Sequence, residues 1–220
     1  MYANPTFRSR PFRQRPSTRR SLTCSGQKHR FDVAPSTGPL ARLSSCDSIL
    51  VVADVENLAY GGRDLGLQID FAALASLLRA ATKRPSLHAF FSADEGDVVI
   101  AERLTACGWT PHSRAIIQHT TQIGRTRSAN ADLAIAFGAA KLLGHQRTAG
   151  VLLGTGDGVL ALDCARAIRT NFKKCTFVGT MSLAGSTSRL IDAQLAREID
   201  VNIEIGMDAM GPLGTQGAIP

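Results

Sequence analysis

At 220 residues and 44% hydrophobic composition, the chain has enough apolar material for one domain of ordinary size with an appendage, and is short for two. No run approaches the roughly 18 to 20 consecutive apolar residues of a membrane-spanning helix, because Ile49–Val55 is interrupted by Asp54 and later apolar stretches carry Gly or charge. The net charge of +7 is unevenly spread: residues 1–46 hold nine basic residues against Asp32, whereas residues 47–220 hold 16 basic and 17 acidic ones, so the folded part is nearly neutral.

Residues 1–46 are rich in Arg, Ser and Pro and poor in large apolar side chains. Such a segment cannot bury enough surface to offset its chain entropy, which predicts a disordered basic arm. Three roles fit it: an organelle transit peptide, an arm that touches nucleic acid, or upstream sequence with no selected role. Pro5, Pro11 and Pro16 break the amphipathic helix a transit peptide uses.

From Ser48 onward, short apolar runs alternate with segments of helical period. Ser48–Ala53 reads as a buried strand, and Ile69–Thr82 as a helix with Phe71, Leu74, Leu77 and Leu78 on one face. A strand at Leu87–Phe91, a helix from about Gly96 to Cys107 and a weaker strand near Ser113–Gln118 follow. The polar stretch His119–Ala129 reads as a loop carrying Arg125 and Arg127, whose guanidinium forks match phosphate oxygens; a solvated loop accounts for both arginines equally well. Next comes a helix, Ala131–Leu143, with Leu133, Phe137, Ala140 and Leu143 at core spacing. A strand at Gly150–Leu153, a helix at Gly158–Arg169, a strand at Cys175–Val178, a helix at Thr187–Arg197 and a short strand at Val201–Ile205 complete the series, and residues 207–220 read as a flexible tail.

Strict alternation, with strands apolar on both faces, predicts an α/β three-layer sandwich over residues 47–206: a mostly parallel sheet covered by helices on each side. Open sheets of this kind carry their sites outside the carboxyl ends of the strands, where the strand order reverses. The five cysteines, Cys24, Cys46, Cys107, Cys164 and Cys175, are odd in number and form no C-x-x-C pair. Free thiols in a reducing compartment are the expectation, and with them a cytoplasmic protein, or one of an organelle matrix if the arm is a transit peptide.

Three carboxylates fall where that rule directs attention. Asp54 follows the first strand, Asp157 the fourth, and Asp132 opens the helix ADLAIAFGAAKLL. Each also has an ordinary structural role: Asp54 as a turn former, Asp157 as a helix N-cap, and Asp132 as a charge favoured by the helix macrodipole. Gathered together they would repel one another unless a proton or cation joined them, and hard oxygen ligands suit Mg²⁺ or Mn²⁺. The turn Thr155–Gly158 lacks the Lys-Ser/Thr of a P-loop.

The succession ILVVADVENL, ANADLAIAFGAAKLL, VLLGTGDGVLALDCARAIR, KKCTFVGT and STSRLIDAQLAREIDVNIEI resembles the NYN domain, a branch of the PIN-like ribonucleases, over about residues 48–205. The family's Asp-x-x-Asn after the first strand is matched by Asp54 and Asn57, its helix opening Val-Asp by Ala131 and Asp132, and its Ser-Gly-Asp by Thr155, Gly156 and Asp157. A turn at Ser186–Ser188 and a final strand complete the likeness. The resemblance implies a PIN-like, Rossmann-like topology and a metal-dependent ribonuclease. In it Asp54, Asp132 and Asp157 hold Mg²⁺ or Mn²⁺, Asn57 orients a ligand or water, and water attacks the phosphodiester. Thr155, Asp163 and Ser188 are auxiliary, and Arg125 and Arg127 contact the RNA.

Two positions depart from the family: Gly138 stands where the helix usually carries a second Asp, and Val159 where the strand-end motif does. Asp163, one helical turn beyond Val159, is the acid nearest in sequence to compensate, although a solvated carboxylate on the helix face is its ordinary reading. These departures imply reduced activity or, alternatively, a catalytically degraded NYN fold that serves as an RNA-binding or protein-interaction module. RNA is the expected partner, no membrane is involved, and the reading leaves room for a homo-oligomer.

Overall fold

A strand with branched apolar side chains on both faces must be covered on both, and Ile49–Asp54 is buried along its whole length. The computed structural model describes residues 39–94, 96, 98–121, 124–128, 131–145, 148–183, 194–206 and 209–212, all within the unit Pro35–Pro220. Its elements run α1 (Pro39–Leu43), β1 (Ile49–Asp54), α2 (Val55–Asp64), β2 (Leu67–Ile69), α3 (Phe71–Ala81), β3 (Pro85–Ala93), α4 (Val99–Ala106) and β4 (Thr110–Ala115). There follow β5 (Ile117–Thr121), β6 (Gly124–Ser128), α5 (Ala131–His145), β7 (Gly150–Gly154), α6 (Gly158–Asn171), β8 (Phe177–Leu183), α7 (Leu195–Glu198), β9 (Val201–Ile205) and β10 (Met210–Pro212).

The main sheet has six strands in the order β4-β3-β1-β7-β8-β9, and every neighbouring pair is parallel. The chain builds outward from β1 to β4, then returns to build outward from β7. The order therefore reverses between β1 and β7, whose register sets Ala53 beside Gly154. This is the predicted three-layer α/β architecture with Rossmann-like order.

Strand alternation divides the interior into two apolar layers. Ile49, Val51, Ala53, Leu87, Ala89 and Phe91 pack with Leu58 of α2, Phe71, Leu74 and Leu78 of α3 and Leu104 of α4. On the opposite face Leu50, Val52, Phe90, Val151, Leu153 and Val178 pack with Ile135, Ala139 and Leu143 of α5 and with Ala161, Cys164, Ala165 and Ile168 of α6. Cys46, Cys107, Cys164 and Cys175 are free thiols, and all but Cys107 are buried. No helix among the described residues is long and apolar enough to cross a membrane.

Several boundaries differ from those expected. Residues 39–46 were assigned to the arm, yet α1 forms there and Leu43 and Cys46 are buried in the core; two apolar anchors suffice to hold a short segment against β9 and α3. The tail is also partly ordered, since β10 pairs antiparallel with β2 and Ala209 is buried. Helix α2 is unheralded because Gly61 and Gly62 lower its propensity. It forms on tertiary support: Val55, Leu58 and both glycines are buried, and Asp54 caps it. The stretch expected as a loop holds the antiparallel pair β5–β6.

The core face of α5 is a further correction. Leu133, Phe137 and Ala140 are exposed, and the buried positions are Ile135, Ala139 and Leu143. The helix is apolar around its whole circumference, so its period does not select a face. Of the helix expected at Thr187–Arg197, only α7 lies within the described residues.

Candidate active site

The carboxyl ends of β1 and β7 meet at the point where the strand order reverses, and a hydrogen-bonded clasp joins them. Asp54, 4% exposed, caps α2 by accepting the Asn57 backbone N–H at 3.1 Å through Oδ1. Its Oδ2 accepts the Thr155 hydroxyl at 3.4 Å, and the same Thr155 oxygen accepts the Asp157 N–H at 3.1 Å. Asn57 closes the second arm, its side-chain Oδ1 accepting the Gly156 N–H at 2.5 Å. Asp157 caps α6, its Oδ1 accepting the N–H groups of Val159 at 2.8 Å and Leu160 at 3.1 Å. Both strand-end aspartates thus fill the capping role that their sequence context allows, and Asn57 is held by the Asp54 carboxylate on one side and the Gly156 backbone on the other.

Burial pushes the Asp54 carboxyl up to about 6, and the charges of Glu56 and Asp132 push the same way, against the lowering by the Asn57 N–H and the Thr155 hydroxyl. Glu56 is half-buried and grips the end of β3: Oε1 accepts the Ser92 N–H at 3.0 Å and Oε2 the Ser92 hydroxyl at 3.2 Å. Its signal in the sequence is faint, a Glu in the first turn of a helix that was itself unexpected. The site thus draws on the ends of three adjacent strands, β3, β1 and β7.

Above this floor, Asp132, Asp157 and Asp163 line a groove of about 430 Å³ between α5 and α6. Cys164 lies in its wall, and burial first, then the charges of Asp163 and Asp132, raise that thiol to about 11. Asp54 is not among the lining residues, although the charge of Asp132 reaches it. Arg125 and Arg127 fall on β6, their side chains lying outside the described residues, as does Ser188.

One of the two missing acids has a physical explanation. Gly138 lies against the Phe90 ring, and a Cβ there would meet Phe90 Cζ at 2.5 Å. Phe90 neighbours Asp54 in the β1–β3 register and stacks on His112, ring centroids 4.5 Å apart. An aromatic pair therefore fills the space that an acid at residue 138 would need. Val159 is 72% exposed at the start of α6.

The donor chemistry suits a hard dication, since the candidate ligand atoms are carboxylate oxygens. The grouping is sparse: among the described residues no three His, Cys, Asp or Glu side chains gather as ligands for one ion. The expectation that Asp54, Asp132 and Asp157 together surround a cation is thus not met as a preformed cage. What the fold provides is the pair Asp54 and Asp132, close enough for their charges to interact, with Asp157 held in its cap across the switch point.

No family model matches the chain, and no curated protein matches its sequence. Among solved structures, the chain is similar to the crystal structure of a protein of unknown function from Vibrio parahaemolyticus, with a TM-score of 0.59 and 19% sequence identity over 76% of this chain and 97% of that one. At that identity the likeness is one of fold: the chain shares its α/β scaffold, with a parallel sheet between helical layers, with that bacterial protein.

Proposed function

We propose that this domain hydrolyses phosphodiester bonds in RNA with the help of a divalent ion, at the reduced rate that a thinned acidic site allows. The observation that carries the reading is Asp54: a buried carboxylate at the strand-order reversal whose pKa stands near 6 through burial and two like-charged neighbours. Groups perturbed in this way cluster at functional sites. Mg²⁺ commonly binds through one or two carboxylates together with substrate phosphates, so Asp54 and Asp132 are a sufficient protein contribution. A bound dication there would neutralise charge on the phosphodiester and activate water.

The chain's own residues do the positioning. Thr155 fixes the rotamer of Asp54 through Oδ2, and Asn57 ties the two strand ends through Gly156. Glu56 holds the end of β3 and adds the negative charge that favours a cation over a phosphate in its absence. These residues support the reaction by orientation, which holds the reacting groups in place.

The decisive experiment incubates the purified chain with labelled single-stranded RNA, with and without Mn²⁺, beside Asp54→Asn. Cleavage that needs both the metal and Asp54 supports the reading. A second reading, an RNA-binding or protein-interaction module on a degraded site, is favoured by the Phe90 ring against Gly138 and by Val159 in place of an acid. Its signature is no cleavage and no Mn²⁺-induced rise in melting temperature at millimolar metal.

A further inference from the structure

The groove between α5 and α6 is lined mainly by apolar side chains, with carboxylates at the N-terminal ends of both helices and one in the second turn of α6. Ala136, Ala140, Leu160, Ala167 and Phe172 line it, and among the described residues its charged lining side chains are Asp132, Asp157 and Asp163. Val159 on the rim is 72% exposed, and Phe137, beside the groove on α5, is 73% exposed. Apolar side chains exposed together beside a concave surface mark a contact site.

We infer that this groove docks an amphipathic basic helix of a protein partner, its apolar stripe on the alanine-lined floor and its Lys or Arg residues over the three carboxylates. Charge selects the occupant. The partial positive charges at the N-termini of α5 and α6 offset only part of three full negative ones, so a cationic segment is attracted and a phosphate backbone is repelled. Shape selects its form. From Asp157 to Ile168 the wall of α6 extends roughly 16 Å at 1.5 Å per residue, about three turns of an incoming helix. Both walls are helices whose backbone groups are bonded internally, so no sheet edge is offered there to an extended peptide, and recognition falls to side chains in a helix-in-groove mode. Alanines on both walls allow close approach.

This inference is independent of the proposed hydrolysis, although Asp132 and Asp157 belong to both surfaces, so the test is run in EDTA. The probe is a fluorescently labelled synthetic peptide that forms an amphipathic helix, with Leu and Ala on one face and Lys on the other, beside a twin with Glu for Lys. Anisotropy is read against the full chain and against the double variant Ala140→Lys with Val159→Lys, both at exposed positions that tolerate a charge. The full chain carries a net +7, so diffuse attraction favours the Glu twin, and preference for the Lys peptide reports the local acidic groove.

The expected result is binding of the Lys peptide about tenfold tighter than its twin, weakened about tenfold in the double variant and by added salt. Equal binding of the two peptides, no binding of either, or unchanged affinity in the variant overturns the inference. So does self-association of the full chain that is lost in the double variant, since the groove is then filled by a second copy. RNA competing for the groove without metal overturns it as well.

Discussion

The side-chain oxygen of Asn57 accepts the backbone N–H of Gly156 at 2.5 Å, spanning the gap between the helix that follows β1 and the turn that follows β7. The contact joins residues 99 positions apart, so Asn57 ties the two strand ends together. Asn57→Ala leaves a half-buried backbone donor without its acceptor, which costs about 1 to 2 kcal/mol. Urea unfolding should show a lower midpoint with an unchanged slope; an unchanged midpoint would mean that the clasp adds nothing to stability.

Gly138 and Phe90 are coupled in the same way. A helix-interior Gly→Ala change ordinarily gains about 1 kcal/mol from propensity, but at this position the new Cβ runs into the Phe90 ring. Phe90 is buried and stacked on His112, so it has little freedom to yield. Overpacking of this kind costs about 1 to 3 kcal/mol. Gly138→Ala should therefore be neutral to destabilising alone and stabilising in a Phe90→Leu background. A double-mutant cycle by thermal or urea unfolding measures the coupling, and additive effects would show that the ring does not govern residue 138.

The same relationship explains how far the site could be read in advance. Asp54, Asp132 and Asp157 stand out because they follow apolar runs or open a helix, and the parallel sheet follows from the alternation of such runs with helical segments. Local sequence carries that information. The clasp of Asn57 on Gly156, the grip of Glu56 on Ser92 and the Phe90 ring over Gly138 depend on which strands become neighbours, which no short window encodes. The face of α5 was misread for a related reason. In ADLAIAFGAAKLL the apolar residues surround the helix, and the close fit of Gly138 against the Phe90 ring is not legible from its period. The short elements α1, β2 and β10 were missed because three to five residues carry too little pattern, although their anchors Leu43, Ile69 and Ala209 are buried.

A pH dependence follows from the histidines on the α5 side of the sheet. His88 Nδ1 and His112 Nε2 are 2.8 Å apart, and His88 Nε2 lies 2.9 Å from the Ser86 hydroxyl. Burial, then the neighbouring His112, push His88 down to about 4, while burial and Lys141 lower His112. Below pH 6.5 the unfolded chain takes up a proton that the folded one refuses, so stability is full above that value and lost as pH falls toward 4. Because pH 5 lies between the two pKa values, the loss attributable to His88 there is about 1 to 2 kcal/mol. Acidification from pH 7.5 to pH 5 should therefore lower the urea midpoint more in wild type than in His88→Gln, while the raised Asp54 carboxyl shifts both proteins equally in the opposite sense. An equal change in the two proteins would assign the pH dependence elsewhere.

Asp157 allows capping and chemistry to be separated at one atom. Its Oδ1 accepts the N–H groups of both Val159 and Leu160, and an asparagine side chain can offer the same oxygen without the charge. Asp157→Asn should hold unfolding stability within about 0.5 kcal/mol, whereas Asp157→Ala loses the cap and about 1 kcal/mol. If the carboxylate also serves a metal-dependent reaction, the Asn variant loses RNA cleavage on the order of a hundredfold while remaining as stable as wild type. Wild-type cleavage in Asp157→Asn would confine this residue to its cap and leave Asp54 and Asp132 as the whole of the acidic machinery.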